Sequence, residues 1–134
     1  MRFLLDTNIC IYLIKKKPPQ VLQKFNAYAV GEIGISTITV AELQFGAQKS
    51  RQSAQNQQAL EQFLIPLLIV AFDYQAAVVY GKIRASLEAQ GIPIGSLDTL
   101  VAAQALSLNV TLVTNNVREF SRVLDLRLVD WISD

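Results

Sequence analysis

Short apolar runs alternate along the chain with longer segments in which apolar residues recur at helical spacing. Each run has the continuous apolar character of a strand that is buried on both faces of a sheet. The chain therefore predicts strands at residues 3–5, 33–35, 68–71 and 111–114, and a fifth, edge strand that contains Leu126, Leu128 and Val129. Because helical segments separate the strands, we expect an α/β fold, an α/β/α sandwich around a central, mostly parallel sheet of four or five strands.

Apolar spacing also predicts which side of each helix faces the core. After the second strand, Ile38, Ala41 and Phe45 mark the predicted inward face of a helix. Glu42 projects from that apolar side, where an unpaired carboxylate is costly, so it is expected either to have a basic partner or to lie at a partly exposed edge. Asp73 is predicted to cap a long helix, which runs to residue 88.

Length and composition restrict the class of protein. The 134 residues predict a single domain over 1–134, and an apolar content of 51% with only 17% charged residues excludes a disordered chain. The apolar runs fall short of the roughly 18 residues that a membrane span needs, so we expect no membrane association. The first residues lack the pattern of a secretion signal, and we therefore expect a cytoplasmic protein.

Histidine is absent and Cys10 is the only cysteine. These counts exclude an internal disulfide, the usual zinc ligand sets and every mechanism that needs an imidazole base. Chemistry must then depend on carboxylates, lysines, hydroxyl groups or a metal ion.

Four acidic residues fall at positions that a parallel sheet can bring to one edge. Asp6 ends the first strand, Glu42 follows the second, and Glu119 follows the fourth. Asp98 begins the helix before the fourth strand, so it reaches this edge only if a loop crosses back over the sheet. Single acids also have structural explanations: an exposed edge or a basic partner for Glu42, capping and the helix dipole for Asp98, and a capping box with Asn116 for Glu119.

Several carboxylates that share one site raise each other's pKa and require a cation. Mg²⁺ or Mn²⁺ accepts hard oxygen ligands and needs neither histidine nor cysteine. A metal held by acids alone favours phosphodiester chemistry. Other phosphate-binding motifs are missing, since the chain has no GxxxxGK[ST] loop and no GxGxxG after the first strand. Asn8 stands where an aspartyl-phosphate phosphatase usually has a second acid.

Four stretches of the chain match one known family in order. They are LDTNICIY at 5–12, GISTITVAELQFGAQKS at 34–50, IPIGSLDTLVAAQALSL at 92–108 and VTNNVREFSRVLDLRLVDW at 113–131. With them the chain resembles, along nearly its whole length, the VapC toxins of type II toxin-antitoxin systems, which are PIN-domain ribonucleases. The resemblance implies a PIN-like fold, Mg²⁺-dependent endoribonuclease activity with Mn²⁺ as a substitute, and growth inhibition when the toxin is unopposed.

The resemblance also assigns residues. Asp6 and Asp98 match the principal metal ligands of the family, and Glu42 matches the third acid of the catalytic cluster. Glu119 matches an outer acid that helps to orient the attacking water or the leaving group. Asn116 stands where many PIN domains have Asp, and Asn116 and Thr7 are assigned supporting roles.

The expected partners are an RNA substrate, with tRNA as one candidate, a cognate VapB-type antitoxin, and a second copy of the chain in a homodimer. Outside the four acids, seven acidic residues remain against twelve basic ones, which suits a polyanion. Lys15–Lys17, Lys49, Arg51 and Arg118 are candidate phosphate contacts.

Two other functions remain open on sequence alone. One is a DNA-directed or structure-specific nuclease on the same fold. The other is a non-catalytic interaction module whose acids bind an arginine of a partner protein.

Overall fold

A parallel sheet of five strands lies at the centre of the computed structural model, which describes residues 1–133. The strands are β1 (Phe3–Leu5), β2 (Ile33–Ser36), β3 (Leu68–Val70), β4 (Thr111–Val113) and β5 (Leu128–Val129). Their order across the sheet is β3-β2-β1-β4-β5, and each neighbouring pair is parallel. The first strand therefore occupies the middle of the sheet, and all carboxyl ends point to one edge.

Helices cover both faces of the sheet. They are α1 (Thr7–Lys15), α2 (Pro19–Asn26), α3 (Thr37–Lys49), α4 (Ser53–Leu64), α5 (Tyr74–Ala89), α6 (Ser96–Leu108) and α7 (Val117–Phe120). Successive side chains of β1 point to opposite faces: Leu5 packs in a cluster with α1 to α4, and Leu4 packs in a cluster with α5 and α6. The predicted α/β/α sandwich is confirmed.

The two edge strands differ in how well the sequence predicted them. The expected edge position of β5 is confirmed. The expectation that β3 is a buried strand is wrong, because β3 is the other edge and its Leu68 and Ile69 are 43% and 49% exposed. An apolar run does not reveal whether a strand has neighbours on both sides.

The predicted inward face of α3 is also wrong. Ala41 is exposed and Phe45 is 63% exposed, whereas Leu43 and Ala47 are buried, together with Thr39. The helix has apolar residues on most of its circumference, so spacing alone fits more than one face. Packing against α1 and α4 selects the side that carries Leu43 and Ala47.

Side-chain caps fix where three helices begin. The Asp6 carboxylate accepts from the backbone N–H of Ile9 at the start of α1, and the Asp73 carboxylate does the same for Ala76 in α5. Ser36 Oγ accepts from the Ile38 N–H at the start of α3. Such caps satisfy donors that the first turn of a helix leaves unpaired, so each helix starts directly at the carboxyl edge of the sheet. No helix within residues 1–133 has the length and apolar character that crossing a membrane requires.

The Trp131 side chain anchors the end of the chain to β1. It is 1% exposed, stacks on Tyr28 at a centroid distance of 5.9 Å, and meets the edge of Phe3 at 5.5 Å. We expect Trp131→Ala to lower the free energy of unfolding by about 3–5 kcal/mol, as measured by urea denaturation. Leu124→Ala is the control: its side chain is 83% exposed, so the change should stay within about 0.5 kcal/mol. Equal stability of the two variants would contradict this packing role.

Candidate active site

A cleft of about 210 Å³ opens at the carboxyl edge of the sheet. Its lining combines polar side chains with three apolar ones: Asp6, Thr7, Asn8, Glu42, Asp98, Asn116, Ile38, Leu97 and Val101. The structure thus places three of the four predicted acids, and both predicted supporting residues, around one opening. Glu119 does not line the cleft itself, but its negative charge is close enough to Asp98 to raise the pKa of Asp98.

Asp6 lines the cleft at the middle of the sheet edge because it directly follows β1, the central strand. One carboxylate oxygen accepts the capping hydrogen bond from the N–H of Ile9, and the other accepts a short hydrogen bond from Thr114 Oγ1. The backbone N–H of Asp6 donates to the carbonyl of Val113, which continues the pairing with β4. The carboxylate therefore has little freedom to move.

Burial dominates the electrostatics of Asp6, whose side chain is 6% exposed. Loss of hydration raises the pKa of Asp6 from its ordinary 3.8 to about 6, although the hydrogen bonds from Thr114 and Ile9 lower it. The negative charges of Asp98 and Asp130 add to the rise. Among the residues that the structure describes, no positive charge contributes to the pKa of Asp6, so its carboxylate is uncompensated there.

Asp98 lies in the first turn of α6, as the sequence predicts. Burial is the main cause that raises its pKa, followed by the nearby charges of Glu119 and Glu42. Asp98 therefore has electrostatic interactions with all three other acids: Asp6, Glu42 on α3 and Glu119 on α7. The structure brings Asp98 to the edge where Asp6 lies, which the sequence allowed but did not require.

The expected capping box at α7 is wrong. Asn116 occupies the N-cap position, but its side chain does not cap the helix. Instead, Asn116 Nδ2 donates to Glu119 Oε2 at 3.4 Å, and the N–H of Asn116 donates to Thr114 Oγ1. The Asn116 amide therefore contacts the Glu119 carboxylate while Asn116 itself lines the cleft.

Sequence reasoning missed Thr114 and Asp130. Both directly follow strands, as Asp6 does, and the register pairs Leu5 with Val113 and Val113 with Val129. Polar residues at the ends of three adjacent parallel strands therefore come together. The signal was present in the sequence, since each residue follows an apolar run directly, but using it required the order of the strands.

A buried polar contact joins the helix of Asp98 to the rest of the edge. Gln104, on α6, accepts a hydrogen bond from Ser36 Oγ at 2.9 Å and donates to the carbonyl of Ala71 at 3.2 Å. Ser36 also caps α3, the helix of Glu42. This contact fixes α6 relative to the starts of α3 and α5.

The donor set fits a hard divalent cation. Carboxylate oxygens are the preferred ligands of Mg²⁺, and the raised pKa values of Asp6 and Asp98 show repulsion and desolvation that a cation would relieve. Asp6 and Asp98 are the residues that could hold such an ion, with Glu42 beside them. Within residues 1–133 no three or more Cys, Asp or Glu side chains are arranged so that together they could hold a metal ion, so the candidate metal site consists of the pair Asp6 and Asp98.

Titration of Asp6 should make folding depend on pH. Between its ordinary pKa and about 6, the folded protein holds a proton that the unfolded chain has released, so the free energy of unfolding falls as pH rises from about 4 to about 6. The expected decrease, relative to Asp6→Asn, is up to about 3 kcal/mol. Urea denaturation of both proteins in buffer with a chelator measures it. A difference that stays constant with pH would contradict the raised pKa.

Comparison with known proteins identifies the family. The model of the PIN domain matches residues 3–125. Ribonuclease VapC2 of Rickettsia felis is 43% identical over 132 residues, which cover 98% of each chain. The tRNA(fMet)-specific endonuclease VapC of Shigella flexneri is 44% identical over 131 residues, again 98% of each chain.

Solved structures agree with the sequence relatives. A VapBC2 structure from Rickettsia felis bound to a promoter DNA fragment has a TM-score of 0.92 at 42% identity, and covers 98% of this chain and 99% of that one. A DNA-bound VapBC structure from Salmonella typhimurium has a TM-score of 0.93 at 41% identity, and covers 98% of each chain. The chain therefore belongs to the PIN-domain family and, within it, to the VapC ribonucleases.

Proposed function

We propose that this protein is the toxin of a type II toxin-antitoxin module, an endoribonuclease that depends on Mg²⁺ and accepts Mn²⁺. Membership of the VapC ribonucleases supports the reaction class. The observation that carries the metal dependence is the meeting of Asp6 and Asp98, two desolvated carboxylates with raised pKa values, at one edge of a parallel sheet.

Each acid has a distinct role in this mechanism. Asp6 and Asp98 would hold the ion, which when bound supplies an acidified water and neutralises charge on the phosphate. Glu42 also lines the cleft, and its proposed role is to accept a proton from the attacking water. Thr114 holds one oxygen of Asp6 through its hydroxyl group, and the Asn116 amide orients Glu119.

RNA is the proposed substrate. Relatives from Shigella flexneri and Salmonella typhimurium are named tRNA(fMet)-specific endonucleases, so initiator tRNA is the first substrate to test. Because tRNA is a cytoplasmic molecule, a cytoplasmic location is part of this proposal. A DNA-directed nuclease on the same fold is the alternative that a substrate comparison separates.

Two protein partners belong to the proposal. The similar structures from Rickettsia felis and Salmonella typhimurium are VapBC complexes, and a VapB-type antitoxin is the expected inhibitor here.

A second copy of the chain is the other proposed partner. Apolar side chains at the β3 edge and on α5 offer a surface for it, since Leu68, Ile69, Tyr74 and Val78 are exposed.

Removing one metal-binding carboxylate should abolish cleavage. We expect Asp6→Asn and Asp98→Asn to lower the rate on initiator tRNA at least about 100-fold in Mg²⁺ buffer, because each replaces a charged ligand with a neutral amide. Asp73→Asn is the matched control, because Asp73 is outside the cleft lining and Asn caps a helix equally well. Labelled single-stranded RNA, tRNA and DNA of the same sequence serve as parallel substrates. Cleavage by Asp98→Asn at the rate of the control would refute the mechanism.

Metal binding should release protons. Asp6 has a pKa of about 6, so near pH 6 a large share of the free protein carries a proton there, and the raised pKa of Asp98 acts in the same direction. The affinity for Mg²⁺ or Mn²⁺ should therefore increase from about pH 5.5 to 7.5. Isothermal titration calorimetry in buffers of different ionisation enthalpy detects the released protons. Asp98→Asn should bind Mn²⁺ at least about tenfold more weakly than Asp73→Asn. Absence of binding by the unmodified protein would favour a non-catalytic interaction module.

A further inference from the structure

A second groove leaves the catalytic cleft and runs between α1, α3 and α4. Its volume is about 440 Å³, and it shares two wall residues with the cleft, Thr7 and Glu42. A polymer whose scissile bond lies at Asp6 and Asp98 can therefore continue into this groove without leaving the protein surface.

Phe45 forms part of the groove wall and is 63% exposed. It lies three residues after Glu42 on α3, so the two side chains are neighbours on one helix face. An aromatic ring that is largely open to solvent, next to a phosphodiester site, offers a surface on which an unpaired base can stack.

Two lysines lie at the far end of this groove, whose lining is otherwise mostly apolar. Lys49 Nζ lies 5.0 Å from the centroid of the Phe45 ring, and Lys15 belongs to the opposite wall on α1. The helical rise places Lys15 about 12 Å beyond Thr7, and Lys49 about 10 Å beyond Glu42. Cations at this distance from the acids suit phosphates that flank the scissile one. Charge complementarity thus favours a nucleic acid strand in the groove.

We propose that Phe45 stacks on an unpaired RNA base beside the scissile phosphate, while Lys49 and Lys15 contact the flanking phosphates. This inference rests on the proposed ribonuclease function and assigns the part of the protein that binds the substrate strand. Phe45 acts in binding and leaves the chemical step to the acids, so its loss should raise KM and leave kcat unchanged.

The test combines a protein variant with a change in the RNA. The bond that the wild-type protein cleaves is first mapped, and the RNA is then made with a single abasic site at each flanking position in turn. On intact RNA, Phe45→Ala should raise KM about tenfold at constant kcat, and Phe45→Trp should keep the wild-type KM. At one flanking position, removal of the base should raise the KM of the wild-type protein by the same factor as Phe45→Ala does on intact RNA. On the RNA that lacks this base, the wild-type protein and Phe45→Ala should then have the same KM.

Lys49→Ala should reduce the salt dependence of KM, whereas Leu124→Ala, on an exposed side chain outside the groove, should leave KM and its salt dependence unchanged. Unchanged KM for Phe45→Ala on RNA that the wild type cleaves would overturn this inference alone. An equal effect of Phe45→Ala at every abasic position would also overturn it. So would a loss of affinity for the antitoxin with normal RNA kinetics, since the groove would then be a protein-binding surface. A wild-type protein that cleaves no RNA would instead refute the proposed function itself.

Discussion

Burial of the Asp6 carboxylate is the constraint on which the candidate active site depends. Direct hydrogen bonds from Thr114 and from the N–H of Ile9 hold both oxygens, yet desolvation still raises the pKa to about 6. The fold therefore keeps a carboxylate in a place where its charge is unfavourable. A structural cap would not need this arrangement, because an exposed Asp caps a helix at lower cost, as Asp73 does for α5. Retention of charge at such a position is typical of functional sites.

The parallel sheet explains why distant residues meet there. Every strand ends at the same edge, and residues that directly follow β1, β4 and β5 become neighbours: Asp6, Thr114 and Asp130. Helices that start at this edge bring Glu42 and Asp98, and the buried contact between Ser36 and Gln104 fixes their relative position. The groove that contains Phe45 begins at the same place, so the proposed catalytic residue Glu42 and the proposed RNA contact Phe45 both lie on α3.

The sequence predicted the layers of the fold, and it predicted that Asp6, Glu42 and Asp98 lie at one edge of the sheet, because both leave local signals. Apolar runs revealed the strands, and acids at the ends of strands indicated the edge. Prediction from sequence failed where the burial of a residue depends on neighbouring elements. Within residues 1–133, β3 is exposed because no strand pairs with its outer side. Phe45 is exposed because α3 packs through Leu43 and Ala47. Thr114 was missed for the same reason, since its contact with Asp6 requires β1 and β4 to be adjacent.

The central claim is that Asp6 and Asp98 share one divalent ion. Anomalous diffraction from crystals grown with Mn²⁺ locates the ion directly. Our account predicts a peak within about 2.2 Å of a carboxylate oxygen from each of these two residues. A peak bound to only one of them, or a cleft that stays without metal at saturating Mn²⁺, would contradict it.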